Sequence, residues 1–236
     1  MTRSHPAQVS QSLETVSVLK GLPSETLARV QRRCAWRRYE PGEPIVDYLD
    51  GTDDVFFITS GEARVSIYSL AGKAVTFCDL GAGEMFGEYA AIDGAHRSAS
   101  IEARTSCQVA SMPAVAFREV LQSEPAVTLA LLRDLVTKVR SLTTRVYEFS
   151  ALAVNNRIQA ELLRLSRLAP REGKSTRIAA APTHAEIASR ISTHREAVTR
   201  ELNRLSRIGI IERQGGALLV KDVDRLAEMV HEVTGE

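Results

Sequence analysis

Gly83-Glu84-Met85-Phe86-Gly87-Glu88, followed after a short loop by His96-Arg97-Ser98-Ala99, decides how the first half of this chain folds and what it can hold. Closely spaced glycines let the backbone bend sharply and approach a ligand. Glu88 supplies an acceptor carboxylate, and Arg97 with Ser98 supplies a guanidinium and a hydroxyl. Together these groups can hold a ribose and a phosphate side by side. Upstream, Val55-Phe56-Phe57-Ile58 runs into Ser60-Gly61, and Ala63, Val65 and Ile67 then alternate with Arg64 and Ser66 as a half-buried strand requires. Ala71-Gly72-Lys73 turns the chain into residues 74–80, and Gly81, Gly83 and Gly87 break it again. Short strand-like segments from about Trp36 to Met112 predict a small antiparallel barrel or roll. A parallel sheet is disfavoured because no helix-length segment separates the strands.

Downstream, Pro113 opens a helical run, and Pro125 opens a longer one that extends to about Val154. Within it Leu132, Leu135, Val139, Leu142, Val146, Phe149 and Ala153 recur at alternating spacings of three and four, the pattern of a coiled-coil seam. Arg133, Lys138, Arg140, Arg145 and Glu148 surround that narrow seam, which suits a parallel homodimer. A helix packed on its own core is the other arrangement the spacing permits. Asn155-Asn156 interrupts the apolar pattern and marks a hinge, after which Arg157 to Leu168 forms a new amphipathic helix.

A second decisive stretch begins at Thr183-His184-Ala185-Glu186, a capping box whose threonine and glutamate reciprocally satisfy backbone amides. One helix runs from there to about Arg190, Ile191-Ser192-Thr193 turns, and a second helix carries Val198, Leu202, Leu205 and Ile208 on one apolar stripe. Arg195, Glu196, Thr199 and Arg200 remain near the exposed N-terminal half of that second helix, where a recognition helix meets base edges. Arginine can bond guanine bidentately and glutamate can accept from cytosine, each discriminating by roughly 1–3 kcal/mol. Ile210 to Arg213, Gly215-Gly216 and Leu218 to Val220 then read as a hairpin wing.

Composition excludes other classes. With 236 residues, 44% hydrophobic and 25% charged, the chain has room for two globular domains, each with its own core. No apolar run approaches the roughly 18 residues of a membrane span, and the polar stretch Met1 to Gln11 lacks a secretory segment, so a cytoplasmic protein is expected. Cys34, Cys78 and Cys107 are widely spaced and read as small buried hydrophobes without a metal. Residues 151–236 carry 14 Lys+Arg against 11 Asp+Glu, leaving 16 against 18 for the first 150, so the basic excess sits in the C-terminal part. A phosphate loop, metal-ligand spacing among the five histidines and a nucleophile elbow are all missing from the sequence, which argues against an enzyme.

From about Leu13 to Val220 the chain resembles the cyclic AMP receptor branch of the Crp/Fnr transcription factors. Phe86-Gly87-Glu88 through Arg97-Ser98-Ala99 matches that family's phosphate-binding cassette, and Arg195-Glu196-Ala197-Val198-Thr199-Arg200 matches its recognition helix. The resemblance implies an α+β chain with a cyclic-nucleotide-binding β-roll, a long dimerisation helix and a winged helix-turn-helix. It sets a flexible N-terminus at 1–12, a β-roll domain at 13–122, the dimerisation helix at 123–154, the hinge at 155–156 and the DNA-binding domain at 157–236. It implies ligand contacts from Phe86, Gly87, Glu88, Tyr89, Ala90, Arg97, Ser98 and Ala99, with Glu88 on the ribose hydroxyl and Arg97 on the cyclic phosphate. Where the family has a threonine that bonds adenine, this chain has Leu142, followed by Thr143, so cyclic AMP is expected with cyclic GMP as a competitor. It also implies DNA contacts from Thr183, Thr193, His194, Arg195, Glu196, Thr199 and Arg200 to a TGTGA-like palindrome, dimerisation through Leu132, Leu135, Val139, Leu142, Val146 and Phe149, and RNA polymerase at the 169–175 loop. A relative that answers haem or a redox signal, or no effector, is the competing expectation.

Overall fold

The structure is a computed structural model and describes residues 11–68 and 74–234. The expected flexible N-terminus, up to residue 10, and the turn at 71–73 lie outside the described residues. The chain separates into two compact units, one built on residues through Ile67 with Phe77–Thr137, the other on the intervening segment through Thr76 with Lys138 onward.

Along the chain, a 3-10 turn at Ser17–Leu19 and helix α1 (Ser24–Gln31) precede strands β1 (Ala35–Tyr39), β2 (Pro44–Val46), β3 (Val55–Ser60), β4 (Ala63–Tyr68), β5 (Ala74–Leu80) and β6 (Met85–Phe86). Helix α2 (Glu88–Asp93), strands β7 (Ser100–Ala103) and β8 (Cys107–Met112) and helix α3 (Ala114–Ser123) follow, and then the long helix α4 (Pro125–Ala151) begins. The strands form two sheets ordered β1-β8-β3-β6 and β2-β7-β4-β5, the predicted roll. Side chains alternate across β3: Phe56 and Ile58 join Val109, Ile101 and Leu80 in one core, whereas Val55 and Phe57 join Met112, Phe117, Val127 and Leu131 in another that includes the helices.

The second unit takes the end of α4 and adds α5 (Val154–Arg167), β9 (Arg171–Glu172), β10 (Ser175–Ile178), α6 (His184–Arg190), α7 (Arg195–Arg207), β11 (Ile211–Gln214), β12 (Ala217–Val220) and α8 (Val223–Thr234). Its four-stranded antiparallel sheet is ordered β11-β12-β10-β9. Ile158 and Leu162 of α5, Ile187 of α6, Val198 and Leu205 of α7, and Val220 and Leu226 share one core.

Several expectations are corrected. Short helix α2 was hidden among the predicted strands because Gly87 and Gly94, both left-handed, bracket only six residues. The long helix breaks at Leu152-Ala153, since Ala153 is extended (ψ 157°) and caps α5, and Asn155-Asn156 lies inside the first turn of α5. On α4, Leu135 packs against the first unit's core, whereas Leu132, Val136, Val139, Leu142, Val146 and Phe149 are exposed, so the free stripe takes Val136 in place of Leu135. Glu148 and Arg145 do not flank the seam in solvent but are held in an ionic cluster with α5 and α6. Ile208 is 52% exposed because it sits past the end of α7, beyond the core. Cys78, on edge strand β5, is exposed, whereas Cys107 is buried. Cys34 is half-buried, and burial pushes its thiol up to about 12. Among the described residues no helix is long and apolar enough to cross a membrane.

Candidate functional site

Arg97 is the centre of the cassette, and the chain already grips it. Its Nε donates to Thr52 Oγ1 (3.2 Å), Nη1 to Gly87 O (3.2 Å) and Nη2 to Asp54 O (2.9 Å), while the guanidinium lies over the Phe56 ring at 5.5 Å. Of five N–H groups, this leaves one on each terminal nitrogen without a hydrogen-bond partner among the described residues. The loop 49–54 also holds the Arg97 backbone, with Leu49 N on Arg97 O and Arg97 N on Asp50 O, both at 3.0 Å. Leu49 adopts φ 66°, a left-handed conformation that a branched side chain rarely takes. Burial draws the guanidinium below its ordinary value, and the carboxylates of Asp50, Asp54, Asp53 and Glu88 work against that shift by favouring the cation.

Gly87 makes this packing possible. It has φ +83°, and a Cβ there would come within 2.6 Å of Asp54 O and 2.7 Å of Arg97 Nη1. It also starts α2, so Glu88 enters the helix as a buried residue beside the arginine. Phe86 stacks on Phe56 with centroids 4.9 Å apart. Ala90 is buried, Ala99 is half-buried, and Tyr89 and Ser98 are exposed. Thr52, Asp54 and Phe56 are not recognisable as site residues from the sequence, because two act through a backbone carbonyl or a ring face and the third is an ordinary loop threonine.

Leu142 and Thr143 belong to the second unit, with Leu142 49% exposed. Thr143 Oγ1 donates to Val139 O at 3.0 Å, so the hydroxyl offers its lone pairs outward.

The reading head follows the predicted order. Thr183 Oγ1 accepts from Glu186 N (3.2 Å) and Glu186 Oε2 accepts from Thr183 N (2.7 Å), completing the capping box. Ser192, at φ 52°, makes the sharp turn, and Thr193 N closes it on Ala188 O at 3.0 Å. His194, Arg195, Glu196 and Arg200 are exposed on or just before α7, and Thr183 is exposed at the start of α6. Thr193 and Thr199 are half-buried, and Thr199 Oγ1 lies 2.7 Å from His184 Nδ1, a histidine the sequence reading left without a role.

Residues 36–124 match the cyclic nucleotide-binding domain family, and residues 156–229 match the Crp-like helix-turn-helix domain family. The chain belongs to the Crp/Fnr family of transcription regulators. Within it, the chain is similar to the CRP-like cAMP-activated global transcriptional regulator of Mycobacterium tuberculosis, 24% identical over 93% of this chain and 98% of that one. It is 26% identical to the cAMP-activated global transcriptional regulator Vfr of Pseudomonas aeruginosa over 82% of this chain and 92% of that one. Among solved structures, a CooA variant from Carboxydothermus hydrogenoformans has the same fold at TM-score 0.77 and 21% identity, covering 94% of this chain and 96% of that one. The c-di-GMP responsive global regulator CLP of Xanthomonas campestris matches at TM-score 0.72 and 20% identity, covering 84% and 99%. This Crp/Fnr chain thus pairs a cyclic nucleotide-binding domain with a DNA-binding helix-turn-helix.

Proposed function

We propose that this protein is a cyclic-AMP-controlled regulator that reads a TGTGA-like palindrome as a homodimer, with cyclic GMP as a competing ligand. The observation that carries this reading is Arg97, a buried guanidinium beside the Gly87-Glu88 turn with one donor still available on each terminal nitrogen. A cyclic phosphate carries one negative charge, which one such arginine can match. Glu88 and the Gly87 backbone take the ribose hydroxyl, Ser98 and the Ala99 amide complete the phosphate cradle, and Phe86, Tyr89 and Ala90 shape its wall. Thr143 Oγ1, its proton given to Val139 O, accepts from an amine at the purine 6-position, which favours adenine.

The nucleotide-binding domain spans 13–122, α4 is the dimerisation helix and the DNA-binding domain runs from α5 onward. Dimers form on the exposed stripe of α4, and a pivot near the helix break sets the two recognition helices roughly 34 Å apart on one side of the duplex. Arg195, Glu196 and Arg200 read bases, while Thr183, Thr193 and His194 hold the backbone and Thr199 supports that face of the reading head. The protein acts in the cytoplasm, with RNA polymerase as a partner at the 169–175 hairpin.

The same arginine favours one other reading. With three donors already given to Thr52, Gly87 and Asp54, the cassette is self-supporting, as a Crp/Fnr regulator answering haem, a redox signal or no effector would require. Calorimetric titration with cyclic AMP and with cyclic GMP separates the two. Saturable heat supports the first reading, and no heat with either nucleotide rejects it.

A further inference from the structure

His184 stands where α6, α7 and the wing meet. Thr199 Oγ1 is 2.7 Å from His184 Nδ1 and 3.0 Å from Arg195 O. A carbonyl oxygen only accepts, so the threonine proton is committed to Arg195 O, and Thr199 must accept from an Nδ1–H on the imidazole. The neutral ring therefore keeps its lone pair on Nε2.

The surroundings of that ring are cationic. Burial draws the pKa of His184 below the ordinary histidine value in the free protein, and Arg213 of β11 and Arg195 of α7 add to the shift. Among the described residues the charges acting on the ring are these two arginines: Glu186 on α6 accepts from the Thr183 amide at 2.7 Å, and Glu212, beside Arg213 on β11, pairs with Lys221. The charged residues of α5 meet α6 at its far end, where Glu161 lies 3.6 Å from Arg190. Three nitrogen-bearing side chains from three elements thus act on one another beside the capped N-terminus of α6.

We propose that His184 is a DNA-phosphate contact of the reading head that takes up one proton when the duplex binds, with Thr199 holding its Nδ1 and Nε2 becoming the second donor. This rests on the DNA-reading function. The phosphate supplies the missing negative charge, so it turns the repulsion from Arg195 and Arg213 into a shared anion site and stabilises the imidazolium. Thr199 is then a positioning residue that acts through the ring.

The sign follows from linkage. The pKa of His184 is depressed in free protein and higher on DNA, so between the two values each unit fall in pH strengthens binding by up to roughly tenfold, and above the bound value the effect vanishes. The experiment is duplex affinity of the full-length protein at saturating cyclic AMP from about pH 8 to about pH 6, with the binding enthalpy measured in two buffers of different ionisation heat to count protons. The parent should gain roughly tenfold in affinity across that range and take up close to one proton. His184→Asn, whose amide keeps a donor near the Nδ1 position without a titratable ring, should lose the slope, whereas His231→Asn, on α8, should keep it. A flat parent profile, a proton count of zero, or an unchanged slope in His184→Asn overturns the proposal while leaving DNA reading intact. A parent that binds no duplex at any pH overturns DNA reading itself.

Discussion

Arg145, near the end of α4, donates through Nη2 to the backbone carbonyl of Arg190 at 2.7 Å, at the last residue of α6. Glu161 of α5, its side chain 1% exposed, lies 3.9 Å from Arg145 and 3.6 Å from Arg190 and also pairs with Arg164, which in turn grips Glu148 through both carboxylate oxygens. Five charged groups therefore tie the end of α4 to the first helix of the reading head. Burial lowers the Arg145 pKa and Glu161 opposes that shift, so the guanidinium depends on this partner.

Glu161→Gln leaves these arginines without their shared countercharge, and breaking a buried ion pair costs about 3–5 kcal/mol. The second unit should melt earlier in a denaturant titration. Arg225→Ala, which removes exposed pairs with Glu228 and Glu232, should leave the denaturation midpoint nearly unchanged. Equal effects for the two substitutions contradict the assignment of the buried cluster.

Gly87→Ala places a methyl 2.6 Å from Asp54 O at a φ that disfavours any side chain. The clash displaces Arg97, so cyclic nucleotide affinity should fall at least about tenfold, with a stability loss of about 1–3 kcal/mol. Calorimetry and thermal melting read both. Parent-like affinity in this variant would show that the Gly87 turn does not position the site.

If dimers form on the exposed stripe of α4 as proposed, substitutions there and on its packed face should have separate effects. Leu142→Glu puts a charge on the stripe, and sedimentation should find monomers at concentrations where the parent is dimeric. Leu135→Ala should leave the dimer intact and lower stability by about 2 kcal/mol, because Leu135 packs against the first unit's core.

Arg200 is exposed on α7 and free to reach a base edge. Arg200→Ala should weaken a TGTGA-like site by about 1–3 kcal/mol and random duplex by much less. Equal losses on both sequences would assign it to phosphate instead.

Much of this architecture was legible in the sequence because apolar periodicity marks regular structure, although Ser66, read as an outward residue of β4, is buried. The alternation of Ala63, Val65 and Ile67 and the stripe of Val198, Leu202 and Leu205 each marked an element the structure contains. What stayed hidden depends on tertiary partners. Leu135 fits a coiled-coil seam by spacing, and only the core beside it shows that it is used elsewhere. Asn155-Asn156 looked like a break because asparagine favours caps and turns, yet Ala153 caps α5 through its backbone. In the cassette, Gly87, Glu88 and Arg97 were identifiable from residue type, but the grip of Thr52, Asp54 and Phe56 on Arg97 involves a loop more than forty residues upstream.

The most direct test is fluorescence anisotropy of a labelled TGTGA-like palindrome titrated with the full-length protein, without nucleotide and at saturating cyclic AMP. The account predicts that cyclic AMP strengthens binding to the palindrome at least about tenfold, equivalent to about 1.4 kcal/mol of coupling between the sites, with a smaller gain on random duplex. Identical affinity with and without the nucleotide would contradict it.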